Sequence, residues 1–156
     1  MAKWTGGCLC GEVRYELESD PFDAGWCHCR TCQLSSGSPG MVFASVPAGD
    51  FIWTRGEGRV RRVKSSSFGH RLFCGACGTP FLMQVDHQPE TVDFSVATLD
   101  RPDAVAPGFH IFWSSRIGWF DPGNDLPRHE KFRPQTRGLD GTETPDDSFL
   151  AGGGQG

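Results

Sequence analysis

The sequence predicts a mainly β, mostly antiparallel fold in a single domain. Short runs rich in β-branched and aromatic residues recur, with turns about every ten residues. Segments containing Pro, Gly or Asp separate these runs, and helical periodicity is scarce. The 156 residues suffice for one domain with its own core and are too few for two domains of ordinary size.

The first predicted strand, residues 12–18, has the clearest pattern. Its apolar side chains Val13, Tyr15 and Leu17 alternate with polar ones, which is the period of a half-buried strand. Composition and flanking turns predict further strands at residues 41–46, 51–54, 59–64, 71–73, 80–85, 91–97 and 109–113.

Outside the strands, one helical turn and one tail are predicted. The helical turn is Arg30–Ser36, ended by Gly37. Residues 138–156 have neither strand nor helix periodicity and finish in a glycine-rich sequence, so a disordered tail is expected after a domain of residues 1–137.

Composition argues against nucleic acid and membranes as partners. The net charge is −4, and the single basic stretch lies within residues 55–64. Those arginines suit either a carboxylate ligand or a charged edge strand that resists aggregation, and the edge strand is preferred. No apolar run approaches the roughly 18 residues of a membrane span, and the start lacks an apolar signal core, so a cytoplasmic location is expected.

Seven cysteines fall into three groups, and none stands alone. A Cys-x2-Cys pair followed by glycine allows two sulfurs to bind one zinc ion, and Cys74 and Cys77 have this arrangement. Cys8 and Cys10 form a second pair, also followed by glycine, so these four residues are expected to complete one tetrahedral site. We call them the four-cysteine cluster.

Cys27, Cys29 and Cys32, which we call the middle cluster, have no fourth cysteine to join them. Three protein ligands and a vacant position are typical of a catalytic zinc site. Two alternatives stay open: a histidine or acid closing the site as a structural one, and redox thiols or disulfides. The odd cysteine count and the expected reducing compartment disfavour disulfides. His28, between two ligands of an extended segment, points away from them and is interpreted as a surface or outer hydrogen-bonding residue.

The series GGCLCGEVRYE, CHCRTCQLSSGSP and FCGACGTPF, followed by LDRP and HIFWSSRIGW, resembles the glutathione-dependent formaldehyde-activating enzyme family over residues 4–133. Centromere protein V shares this domain. The resemblance implies a β-tent fold with two zinc ions. It places the structural zinc on Cys8, Cys10, Cys74 and Cys77 and the second zinc on Cys27, Cys29 and Cys32.

The activity implied by the resemblance is a carbon-sulfur lyase or synthase reaction that joins glutathione and formaldehyde as S-(hydroxymethyl)glutathione. His28 and His110 are candidate general acids. Gln33, Ser36 and Gly37 are candidates for the glutathione pocket, although turn chemistry explains them equally. Two other functions remain open: a zinc module that binds or carries a thiol without catalysis, and an interaction module with purely structural zinc.

Overall fold

The computed structural model describes residues 4–134, which form two β-sheets and one short helix. The predicted tail, residues 138–156, lies outside the described residues. The strands are β1 (Trp4–Gly7), β2 (Arg14–Leu17), β3 (Phe22–Cys27), β4 (Met41–Pro47), β5 (Phe51–Arg55), β6 (Val60–Lys64), β7 (Gly69–Cys74), β8 (Pro80–Val85), β9 (Thr91–Ser95) and β10 (His110–Ile111), and helix α1 is Arg30–Ser36.

A three-stranded antiparallel sheet, in the order β1-β2-β5, covers one side of the main core. Tyr15 and Leu17 of β2 are each 1% exposed, as the alternating pattern predicts. The Tyr15 ring stacks on Phe51 at 4.5 Å between centroids. Phe81 and Phe94 of the larger sheet are fully buried in the same cluster. The two sheets therefore enclose one apolar core.

The larger sheet has seven strands in the order β10-β3-β4-β9-β8-β7-β6. Its pairs are antiparallel except for β10 with β3, which is parallel. Because side chains alternate between faces, Phe94 of β9 points into the core while its neighbour Asp93 lies on the opposite face. That opposite face carries the site described below.

The mainly β prediction is confirmed, and helix α1 has the predicted bounds. Strand β6 lies at the sheet edge, where its charged residues were expected. Strands β1 and β3 were not predicted, because WTGG and FDAGWC contain glycine and a break in alternation. In β3 the register shifts between Phe22 and Gly25, and Asp23 has a positive φ of 52°. Within residues 4–134 no helix is long and apolar enough to cross a membrane.

Candidate metal centres and the adjoining cavity

The four-cysteine cluster forms where two turns from different sheets meet. Cys8 and Cys10 lie in the turn between β1 and β2, whereas Cys74 ends β7 and Cys77 lies in the turn that leads to β8. Their four sulfur atoms lie within 4.8 Å of one another, with 3.4 Å from Cys8 to Cys10 and 3.9 Å from Cys10 to Cys74. Tetrahedral zinc with bonds of about 2.3 Å places sulfurs about 3.8 Å apart. The set therefore fits a closed zinc site.

Thr79 stabilises this cluster from β8's side of the turn. Its hydroxyl lies 3.2 Å from the Cys77 sulfur and accepts a hydrogen bond from the Leu9 N–H at 3.1 Å. The hydrogen bond from Thr79 helps lower the pKa of Cys77 to about 6, which favours the thiolate that a metal ligand requires. Hydrogen bonds of Thr79 therefore join the two halves of the cluster without a metal ion.

The middle cluster is built at the junction of β3 and α1. Cys27 ends the strand, Cys29 caps the helix by accepting a hydrogen bond from the Cys32 N–H at 3.4 Å, and Cys32 lies in the first turn. All three are buried, at 8%, 6% and 2% exposure, and their sulfurs lie within 4.8 Å of one another. Among residues 4–134 no histidine, cysteine or acid joins them as a fourth member of the group. The donor set fits zinc with one coordination position left open.

Arg71 supplies positive charge beside the middle cluster. Its Nη2 lies 3.3 Å from the Cys32 sulfur and 3.2 Å from the Thr31 hydroxyl, and the residue is only 7% exposed. Its Nε is buried and has no hydrogen-bond partner in the part of the chain that the structure describes. Hydrogen bonds from Cys27 and then Cys32 hold the pKa of Cys29 well below its usual value. The thiolate of Cys29 is therefore stabilised even before a metal binds.

Sequence reasoning assigned Arg71 to a strand and to nothing else. Arginine is rarely buried without a charged or coordinating partner, so an arginine within an apolar strand indicates that such a partner lies nearby. A role at the middle cluster becomes visible only in the fold, which places β7 next to α1. Arg71 is 39 residues from Cys32 in sequence. No local pattern contains this contact.

His28 and His110 lie behind the middle cluster and are not among the residues that line the cavity described below. His28 is fully buried, so the surface interpretation of this residue was wrong; its Nε2 lies 2.8 Å from His110 Nδ1. His110 Nε2 lies 3.1 Å from Asn124 Oδ1, an acceptor that also receives the Leu126 N–H at 3.1 Å. His110 therefore donates to Asn124, and in a neutral ring its Nδ1 accepts from His28.

This hydrogen-bond chain defines the state of His28. Within residues 4–134 its Nδ1 is buried without a well-formed hydrogen bond, and the Pro39 carbonyl opposes the lowering of the ring's pKa. Burial, followed by the neighbouring His110, lowers the pKa of His28 to about 4, so the ring is neutral at pH 7. The pair holds β10 against β3 directly behind Cys27.

Gln33, Ser36 and Gly37 are likewise not among the residues lining that cavity. The Gln33 side-chain amide donates to the His28 carbonyl at 2.8 Å and to the Ser115 carbonyl at 3.1 Å. The Ser36 hydroxyl donates to the Cys32 carbonyl, and Gly37 ends the helix with a φ of 66°. In this structure their contacts hold helix α1 and its cap in place.

A cavity of about 130 Å³ lies between the middle cluster and the open face of the seven-stranded sheet. Ser45, Asp93, Met83 and Arg71 stand opposite one another on β4, β9, β8 and β7 and form one row of its lining. Asp93 and Arg71 are two strands apart, roughly 10 Å between Cα atoms. The cavity is thus lined by three thiols, by the arginines Arg71 and Arg133, and by the acids Asp23 and Asp93.

Asp93 is the acid of this row. The Ser45 hydroxyl donates a 2.6 Å hydrogen bond to its carboxylate. Burial raises the pKa of Asp93 to about 6, and the charge of Asp23 acts in the same direction. A carboxyl group that titrates near neutrality in the same cavity as the middle cluster is suited to proton transfer.

Arg133 and Phe109 form the rim of the cavity. Arg133 pairs with Asp23 at 2.7 Å and lies over the Phe109 ring at 4.6 Å. Phe109 in turn packs directly on Gly25, where an added Cβ would lie 2.2 Å from its ring. Glycine at this position lets the ring lie against the sheet.

The fold and the two thiol clusters define a mainly β protein with one closed and one open metal-type site. The chain belongs to the glutathione-dependent formaldehyde-activating enzyme family, whose model matches residues 3–115. An uncharacterized lyase of Schizosaccharomyces pombe is 32% identical over 79 residues, which are 51% of this chain and 56% of that protein. The chain thus aligns with little more than half the length of this curated relative.

A solved structure of a Rhodobacter sphaeroides protein has a related fold. It superposes with a TM-score of 0.53 at 21% identity and covers 80% of this chain and 98% of that one. At this identity the comparison supports the fold alone.

Proposed function

We propose that the protein is a zinc-dependent carbon-sulfur lyase that joins a thiol to a carbonyl carbon and reverses the reaction, with glutathione and formaldehyde as reference substrates and S-(hydroxymethyl)glutathione as product. The observation that carries the proposal is three buried thiols, without a fourth ligand among residues 4–134, beside a cavity that holds an arginine and an acid. The family's name and the lyase name of the relative support the same reaction type.

Cys27, Cys29 and Cys32 would hold the ion of the middle cluster. Bound there, zinc supplies a Lewis acid that lowers the pKa of a coordinating thiol from about 8.5. Three cysteine thiolates and one divalent ion sum to −1, and a substrate thiolate adds another negative charge. Arg71, 3.3 Å from Cys32, offsets this charge inside the buried site.

Asp93 moves the proton of the reaction. Attack of a thiolate on a carbonyl leaves a negatively charged oxygen, and the protonated carboxyl of Asp93 neutralises it. In the direction of cleavage the carboxylate accepts the hydroxyl proton, and the carbon-sulfur bond then breaks. With a pKa of about 6, both forms are available near neutral pH.

Replacing Asp93 with Asn is expected to lower the rate by about 10²-fold, because one positioned proton-transfer group contributes about 10² to 10⁴. The step in the pH-rate profile near pH 6 should disappear with it. Asp103→Asn, at an exposed position outside the cavity, is the matched control and should keep the rate and the profile. An unchanged profile in Asp93→Asn would remove Asp93 from the mechanism.

The Asp93→Asn substitution that lowers activity is expected to raise the stability of the folded state. The pKa of Asp93 in the folded state, about 6, lies above its value of about 3.9 in the unfolded state, so the wild type loses stability as pH rises from about 4 to about 6. Asparagine removes this loss. Asp93→Asn should therefore be up to about 3 kcal/mol more stable than wild type at pH 8 and equal to it near pH 3, measured by urea unfolding. Lost activity in a more stable protein cannot be ascribed to misfolding.

Replacing Arg71 with Met tests the charge balance of the middle cluster. Groups that support metal ligands change metal affinity or activity by about 10- to 100-fold, and we expect a loss of that size in zinc affinity at this cluster. Arg71→Lys should restore part of it, because the charge is kept while the forked geometry is lost. Arg62→Met on the exposed edge strand is the control. Unaltered affinity in Arg71→Met would contradict the assigned role.

Exchange NMR of glutathione and formaldehyde, with and without the zinc-loaded protein, tests the proposed function. A catalyst increases the exchange rate between free thiol and S-(hydroxymethyl)glutathione in proportion to protein concentration. Glutathione binding without acceleration would instead identify a non-catalytic thiol carrier. If the protein shows neither glutathione binding nor acceleration, the result would favour an interaction module with structural zinc.

A further inference from the structure

We infer that the site accepts a substrate with an apolar group about the size of one ring attached to the reacting thiol or carbonyl. This inference rests on the proposed thiol-carbonyl reaction and specifies its substrate class. Its physical basis is the wall of the cavity beside the middle cluster.

Six of the twelve phenylalanines of the chain line this cavity: Phe22, Phe43, Phe68, Phe109, Phe112 and Phe132. Five of them are only half-buried, and Phe112 is 3% exposed. By contrast, Phe81 and Phe94 of the main core are fully buried. The half-buried rings are also not among the large hydrophobic residues exposed on the outer surface. These half-buried rings form most of the apolar lining of the cavity.

The cavity has the size of a small apolar ligand. An apolar cavity of about 150 Å³ in another protein stays dry and binds benzene. The cavity here measures about 130 Å³. Met83 and Val85 of β8 extend the apolar wall across the sheet face. A ring or short branched alkyl group fits this space.

The cavity contains the polar groups that the reaction uses, and it is also lined by Thr31, Ser66, Gln88, Thr91 and the ion pair of Asp23 with Arg133. The three thiols and Arg71 provide the open metal position, and Asp93 with Ser45 provides the proton. Formaldehyde has only hydrogen atoms on its carbonyl carbon, and glutathione is polar along its length. With this pair alone, the phenylalanine faces would stay in contact with water, and the favourable burial of apolar surface would be forfeited.

The reaction on such a substrate is a redox-neutral addition. The sulfur-carbon bond forms, the carbonyl π bond breaks, and the thiol proton ends on the new hydroxyl oxygen. Cleavage reverses each change. An aromatic aldehyde with glutathione and an aromatic thiol with formaldehyde both satisfy this balance and place one ring beside the reacting atoms.

Exchange NMR with matched substrate pairs shows whether the aldehyde or the thiol carries the ring. The zinc-loaded protein is combined with glutathione and benzaldehyde, glutathione and acetaldehyde, glutathione and formaldehyde, or phenylmethanethiol and formaldehyde. For each pair the catalysed rate is divided by its uncatalysed rate. At least a tenfold higher ratio for one benzyl or phenyl pair supports the inference and shows which partner carries the ring. Equal ratios for all pairs would overturn it.

Binding provides a readout independent of catalysis. Calorimetry should show phenylmethanethiol binding at least tenfold more tightly than methanethiol. Phe68→Ala should reduce that preference severalfold, while Phe73→Ala, a half-buried phenylalanine of β7 that does not line the cavity, should leave it unchanged. No preference in the wild type would overturn the inference. A clear preference with no acceleration for any pair would refute the proposed lyase while leaving the assigned ligand class intact.

Discussion

A Cys77→Ser variant is expected to lose most of the stability of the domain, by more than about 5 kcal/mol, or to fail to fold. Structural zinc contributes on the order of 10 kcal/mol to small domains, because the binding free energy is also folding free energy. Here the four-cysteine cluster joins the β1-β2 turn of the small sheet to the β7-β8 turn of the large one. Losing one ligand releases the link between the sheets.

Circular dichroism, urea unfolding and zinc analysis of the purified variant measure this effect. Ala76→Ser, in the same turn but without a ligand atom, is the matched control and should retain the wild-type zinc content. A folded Cys77→Ser protein of near wild-type stability would show that the four-cysteine cluster is not the structural site.

The Cys29→Ser variant is expected to lose one zinc ion and at least about 100-fold in activity while keeping its fold. The middle cluster lies on the cavity side of the large sheet and does not join the two sheets. Cys29 also caps helix α1, and serine is among the preferred residues at that position, so the helix start is preserved. The expected change in unfolding free energy is below about 2 kcal/mol.

Comparison of the two cysteine variants distinguishes a structural from an open middle site. Cys29→Ser should contain one zinc per chain with wild-type circular dichroism, whereas Cys77→Ser should show loss of folded structure. Equal destabilisation by both substitutions would mean that the middle cluster is structural as well. Loss of metal without loss of activity would refute the zinc-dependent reaction.

The sequence predicted the features that depend on local spacing. Alternation at Val13, Tyr15 and Leu17 identified a strand, and the grouping of seven cysteines into four and three matches the two clusters of the structure. Cysteine spacing is informative because a metal site constrains a few neighbouring residues through fixed bond lengths. The cysteine pattern also predicts that the turn after β1 meets the turn after β7, because both supply ligands to one site.

Features that depend on contacts between distant segments could not be predicted. Arg71 and Asp93 acquire their roles only through the strand order β4-β9-β8-β7, which no local pattern encodes. The phenylalanines of the cavity are spread from residue 22 to residue 132 and resemble ordinary core residues in sequence. His28 and His110 drew attention as titratable groups near the cysteines, but their mutual hydrogen bond is visible only in the folded chain.

Zinc-edge X-ray absorption of the two-zinc protein, before and after addition of a thiol, tests the central claim most directly. Seven cysteine sulfurs shared by two zinc ions give about 3.5 sulfur ligands per ion, with a lighter atom completing the average shell. Saturating glutathione should raise this value to about four as its sulfur enters the open position. A value that does not change when bound glutathione is demonstrated by calorimetry would contradict the account.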